Sequence, residues 1–218
     1  MKIKFLASKN KEVERLINLY EDYKWFIDNA FPIILPKFFK SHYRKFGVKK
    51  YNKKLLKNIF QNKIKLIYSQ KKYEKIINDI KKEWLKVEED FWDALERLGF
   101  KSKKAFLCYI SLYGPGGQFK YPNSITIRAV NKMDLKEANT NIAHEIMHLL
   151  LYKKFEKLNL KYAQIEGIVD LFFIKTEIKN IFPNYKKQTI AKHNEKLFER
   201  IINLHNPKKT HKWRHYFS

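Results

Sequence analysis

The stretch LKEANTNIAHEIMHLLLYKK, residues 135–154, decides how the rest of the chain is read. Its apolar residues Ile142, Ala143, Ile146, Met147 and Leu149–Leu151 lie nearly all the way round a helix, so the helix is expected to be buried. Inside that apolar surround stand His144, Glu145 and His148. Residues i and i+4 lie one turn apart on the same helix face, so both imidazoles point the same way. Buried polar side chains need partners. A metal ion would satisfy both imidazoles at once, with the Glu145 carboxylate beside it rather than bound to it. The opposing reading is a core helix with a surface pair of histidines, and the apolar surround argues against it.

Moving towards the C-terminus, the next predicted helix carries Glu166, with seventeen residues between it and His148. Catalytic zinc sites use three protein ligands and keep a fourth position for water, which makes Glu166 the candidate third ligand. Asp170 lies four residues further on the same face, where a carboxylate can accept the free N–H of a ligating histidine and fix its tautomer. Gly167, beside Glu166, leaves room for another backbone to approach. The helix bearing Glu166 is expected from about Leu160 to Ile181, stopping before Pro183. A last helix is expected from about Lys187 to Leu204. The first of the three helices, through about Lys154, is expected to open on a capping box of Asp134 and Glu137.

Moving towards the N-terminus, Ala105–Tyr113 (AFLCYISLY) is apolar and β-prone and reads as a buried strand. The loop GPGGQFKYPN follows. Ser124–Val130 (SITIRAV) alternates in polarity and reads as a second strand. Residues 1–99 read as helices: one up to Pro32, one over 51–68, and a long periodic segment over 72–98 closed by Gly99. The Trp and Phe residues of these helices read as packing faces. The expected fold is α+β and mainly helical, a small β-sheet packed on the His144–His148 helix and the Glu166 helix. A helical region at 1–99 precedes a catalytic region at 100–218, either as two parts or as one compact unit.

His144, Glu145, His148, Glu166 and Asp170 together resemble the pattern of the gluzincins, the thermolysin-like and aminopeptidase-like zinc peptidases. These carry HExxH, then a Glu about twenty residues later on a second helix, often with an Asp one turn on. The resemblance covers about residues 105–182, and the small size of this part is similar to the compact minigluzincins. It implies Zn2+ held by His144, His148 and Glu166, Asp170 supporting the ligands, and Glu145 as general base for hydrolysis of a peptide or protein substrate. It also implies an exposed edge strand for the substrate backbone, here Gly116, Gly117, Gln118 and Phe119, with Ser124–Val130 as the inner strand. Tyr162, Tyr185, His193 and His205 are the candidates for stabilising the oxyanion. His211 and His215, in the tail, could fold back onto the metal and keep the enzyme latent. The metzincin continuation HExxHxxGxxH is absent, because Leu151 and Lys154 stand at its Gly and third His.

The remaining composition bounds the alternatives. In 218 residues, 46 Lys and Arg stand against 22 Asp and Glu, a formal net charge of +24. A field of that sign favours acidic partners, so a basic nucleic-acid-binding protein with a structural or vestigial metal site is the competing reading. Two features count against it: the lysines are spread along the chain rather than collected in one block, and a structural site needs no base such as Glu145. A third reading is an interaction protein using the N-terminal helices as a docking face. The single cysteine, Cys108, sits in an apolar run and is expected to be buried and inert. No apolar run approaches the length of a membrane helix and the N-terminus is too short in apolar residues for a signal peptide, so a soluble cytoplasmic protein is expected.

Overall fold

The β-prone run at 106–111 has alternate residues Phe106, Cys108 and Ile110 buried on one face, the signature of a strand lying on a core. In the computed structural model, which describes residues 2–47, 52–101 and 105–205 (side chains to 203), this strand is β2 (Phe106–Ser111). It sits inside a four-stranded sheet of order β1-β2-β4-β3. β1 (Ile3–Leu6) and β4 (Ser124–Arg128) flank it in parallel, and β3 (Gly117–Lys120) closes the edge antiparallel to β4. The chain is α+β and mainly helical, as expected.

The expectation that residues 1–99 are helical throughout is corrected by β1. Its four residues, IKFL, pair with Phe106–Tyr109 about a hundred positions downstream, and a strand that short carries no period of its own. Five helices then precede β2: α1 (Lys9–Asp28), α2 (Lys37–Phe46), α3 (Lys53–Ile67), α4 (Gln70–Trp84) and α5 (Glu88–Arg97). The segment read as one helix over 72–98 breaks at Leu85–Val87. α5 restarts on Glu88, Glu89 and Asp90, three carboxylates in a first turn, where the helix dipole favours them. Gly99 does end α5, at φ +90°, with Phe100 N–H donating to the Leu95 carbonyl.

Behind the sheet lie α6 (Lys132–Lys157), α7 (Tyr162–Lys175), α8 (Ile178–Ile181) and α9 (Glu195–His205). α6 is capped by Asn131, whose side chain accepts from Met133 and Asp134 N–H, not by the expected Asp134–Glu137 box. Asp134 instead accepts from Val130 N–H and pairs with Arg128 at 2.9 Å, fastening the end of β4 to the start of α6. The helix expected through Ile181 breaks at Thr176, whose hydroxyl turns back to the Phe172 carbonyl. The helix expected from Lys187 starts only at Glu195, because residues 183–194 are used as a loop round Asp170 and Gly167.

The larger apolar core gathers β1, α4 and α5 with the sheet and α6–α9; Leu98 and Phe100, on either side of residue 99, both belong to it. A second core holds Leu16, Leu19 and Tyr20 of α1 with Phe39 of α2 and Phe60 of α3. Among the described residues no helix is long and apolar enough to cross a membrane. Cys108 is fully buried, as expected, and burial pushes its thiol pKa well up.

Glu12 of α1 joins the two cores. Its buried carboxyl accepts from the Tyr73 hydroxyl, the Ser111 hydroxyl at 2.5 Å and Leu112 N–H at 2.8 Å. Burial raises its pKa, against the lowering effect of these bonds. Glu12→Gln places an amide donor against these donors and should cost about 1–3 kcal/mol. Thermal denaturation should show a Tm lower by roughly 2–4 °C per kcal/mol; an unchanged Tm would mean that Glu12 does not carry this junction.

Candidate metal centre

α6 runs the length of the sheet edge beside β3, and the two elements keep step. Gly116 abuts Asn141, Gly117 abuts Glu145, Phe119 stacks on His148 at 4.7 Å, and Tyr121 stacks on Tyr152 at 4.5 Å. Five strand steps of about 3.3 Å and eleven helical steps of 1.5 Å both span about 16 Å, which is why the register holds. The inward face of β3, with Gly117 and Phe119, therefore packs against Glu145 and His148 of α6.

His144, His148 and Glu166 converge as expected, and they are 6%, 2% and 4% exposed. His144 Nε2 lies 3.0 Å from His148 Nε2 and 3.2 Å from Glu166 Oε2; His148 Nε2 lies 3.4 Å from Glu166 Oε1. Ligands bound tetrahedrally at about 2.0–2.1 Å are themselves separated by about 3.3 Å. The two imidazole nitrogens and the Glu166 carboxylate thus stand at about that spacing, and the group could hold a metal ion. Burial alone would raise the Glu166 pKa, but hydrogen bonds and charge from His144 and His148 overcome this and hold the carboxyl below the usual range.

Asp170 is placed differently from the expectation that it bonds a ligand directly. Tyr185 stands between: its hydroxyl meets His144 Nδ1 at 2.9 Å and donates to Asp170 Oδ1 at 2.6 Å. The fully buried Asp170 also accepts from Gln188 N–H and meets His193 Nε2 at 3.0 Å. The Tyr185 ring stacks on Phe173 at 4.2 Å, which fixes where its hydroxyl points. Burial, then the Asp170 charge, push its pKa far up, so the hydroxyl stays protonated. His148 is held in another way: its Nδ1 has no hydrogen-bond partner among the described residues, and the ring lies flat against Phe119.

Glu145 is 7% exposed. Burial pushes its pKa up to about 7; His144 and Arg15 oppose the rise and Glu166 adds to it. A Cβ on Gly117 would come within 2.3 Å of Glu145 Oε1, so the glycine makes space for this carboxylate. Gly116 is less constrained, its nearest neighbour being Asn141 Nδ2 at 3.3 Å from a Cβ, and Gln118 points to the opposite side of β3. Gly167 has the role foreseen: the Lys192 carbonyl passes where its Cβ would be.

Of the oxyanion candidates, Tyr162 bonds Glu166 and is 45% exposed, with burial and that carboxylate raising its pKa. Tyr185 lies behind His144, away from the converging donors, and His193 is engaged by Asp170. The side chain of His205 and all of His211 and His215 lie outside the described residues. Arg15 of α1 carried no signal in the sequence. It is buried under the Gly114–Gly117 loop, donates to the Pro115 carbonyl at 2.8 Å, and has its pKa lowered to about 10 by burial.

Comparison with protein-family models, curated proteins and solved structures finds no match to this chain.

Tyr185 fixes the orientation of His144, so Tyr185→Phe should weaken divalent-metal affinity about 10–100-fold in a competitive chelator titration. An affinity equal to that of the wild type would show that Tyr185 does not orient the ligand.

Proposed function

We propose that the chain is a zinc-dependent peptidase of gluzincin type, acting on a peptide or protein bound in extended form. The observation that carries this reading is the buried His144–His148–Glu166 convergence with Glu145 beside it. Two imidazoles and one carboxylate in tetrahedral spacing are the donor set of hydrolytic zinc sites.

Zinc held by these three residues would lower the pKa of its water and polarise the scissile carbonyl. Glu145 is the group on hand to take a proton from that water and return it to the leaving amine. Its setting against Gly117 keeps it between α6 and the sheet edge, beside the place where a substrate backbone would run. An extended peptide can add to the free edge of β3 through main-chain hydrogen bonds. Tyr162, exposed at the rim and bonded to Glu166, is the hydroxyl best placed to reach an oxyanion.

The test is cleavage of a diverse peptide mixture by zinc-loaded protein, read by mass spectrometry. Glu145→Gln should keep zinc and lose about 10²–10⁴-fold in rate. Gly117→Ala should also keep zinc, but it displaces the base, and a shift of about 1 Å costs on the order of 10²-fold. Equal cleavage by wild type and Glu145→Gln would refute the assignment.

A further inference from the structure

The positive charge is distributed unevenly for a reason that counting lysines alone does not show. Between Asp28 and Glu74 the chain has thirteen Lys and Arg residues and not one Asp or Glu. That run, about a fifth of the chain, carries +13 of the formal +24. It includes α2 and α3, which pack through Phe39, Leu56, Phe60 and Ile64 into the core shared with α1. Burying that side turns the lysines out. On α2, Lys37, Lys40, Arg44 and Lys45 are exposed on the side away from Phe39. On α3, Lys54, Lys57, Lys63 and Lys65 are exposed while Leu56, Phe60 and Ile64 are buried.

Elsewhere several surface cations are matched by carboxylates. Lys11 and Lys120 share Glu14, Lys24 pairs with Asp28, Lys86 with Glu83, and Lys186 with Glu137. Among the described cations of α2 and α3, only Lys53 has a carboxylate within 4.0 Å, Glu21. Such a surface repels itself unless it meets a counter-charge of comparable density. We propose that the outer faces of α2 and α3 bind the phosphate backbone of nucleic acid without reading its sequence.

A linear polyanion fits this surface better than a lipid surface does. An interfacial helix needs a wide unpartnered apolar face, and the apolar sides of α2 and α3 are spent in their own core. Leu55, Leu66 and Ile67 of α3 and Phe46 of α2 are exposed, but Leu55 stands eleven residues from Leu66, about 16 Å along the axis. Phosphate contacts need only cations at helical spacing along a backbone, together with release of the condensed counterions. This inference does not depend on the hydrolytic reading, since neither helix contributes a metal ligand.

The test is fluorescence anisotropy of labelled single-stranded and duplex DNA with the zinc-loaded full chain, between about 50 and 200 mM salt. The wild type should bind both, with log K falling linearly in log salt. Replacing Lys37, Lys40, Arg44 and Lys45 by Gln should weaken binding about tenfold or more and flatten the slope by about 3–4, at about 0.9 for each phosphate no longer neutralised. A control replacing exposed Lys132, Lys136, Lys179 and Lys196 by Gln removes the same charge elsewhere and should change affinity less than about threefold. Circular dichroism establishes that the variants fold, and Lys54, Lys57 and Lys65→Gln on α3 gives an independent reading should the α2 variant not fold. The proposal is overturned if the wild type fails to bind, if the control weakens binding as much as the α2 and α3 variants, or if vesicles containing anionic lipid bind where DNA does not. Because binding needs no Glu145, an inactive but DNA-binding chain would refute the peptidase reading and leave this one standing.

Discussion

Two imidazole nitrogens and a carboxylate, 3.0 to 3.4 Å apart inside an apolar core, are the constraint to which the surrounding elements answer. Polar groups so deeply buried are costly unless their geometry is satisfied from every side. α6 supplies two of them one helical turn apart, and α7 supplies the third across the core. The fully buried Asp170, one turn beyond Glu166, gathers Tyr185, Gln188 and His193 and so ties the 183–194 loop to the site. Loop and α7 meet at Gly167, where any side chain would strike the Lys192 carbonyl. A glycine inside a helix costs up to about 1 kcal/mol against alanine, and the close approach explains why one stands there.

The sheet answers the same constraint from the other side. β3 follows α6 over about 16 Å, so each inward position meets a particular helix residue. Phe119 backs the imidazole that lacks a hydrogen-bond partner at Nδ1, and Gly117 is empty where Glu145 projects. Arg128 and Asp134 pin the turn from β4 into α6, so the register of strand against helix is set at its start. α1 lies over this arrangement: Glu12 holds β2, Arg15 supports the Gly114–Gly117 loop, and Trp25 touches Tyr162 at the rim.

Much of this was legible in the sequence, for reasons that separate local from distant effects. The i, i+4 spacing of His144 and His148, the apolar surround of α6, the alternation in β4 and the Gly99 cap are all local patterns, and each took the expected form. β1 was not legible, because four residues become a strand only when β2 arrives from a hundred positions away. The Asp134–Glu137 box has the right spacing, but Arg128 takes the aspartate and leaves the cap to Asn131. Asp170 was expected against a histidine, and Tyr185 intervenes; that depends on a loop whose course no periodicity describes. The first turns of the expected 187–204 helix are surrendered to the same loop. The three acids opening α5 were a readable signal for the break after Trp84.

The most direct test of the account is X-ray absorption at the zinc edge of protein loaded with one equivalent of zinc. The account predicts four-coordinate zinc with two imidazole nitrogens and carboxylate and water oxygens, all at about 2.0–2.2 Å. His148→Ala should then remove one imidazole contribution. Zinc without imidazole ligands, or a spectrum unchanged in His148→Ala, would contradict the central claim that this buried trio is a metal centre.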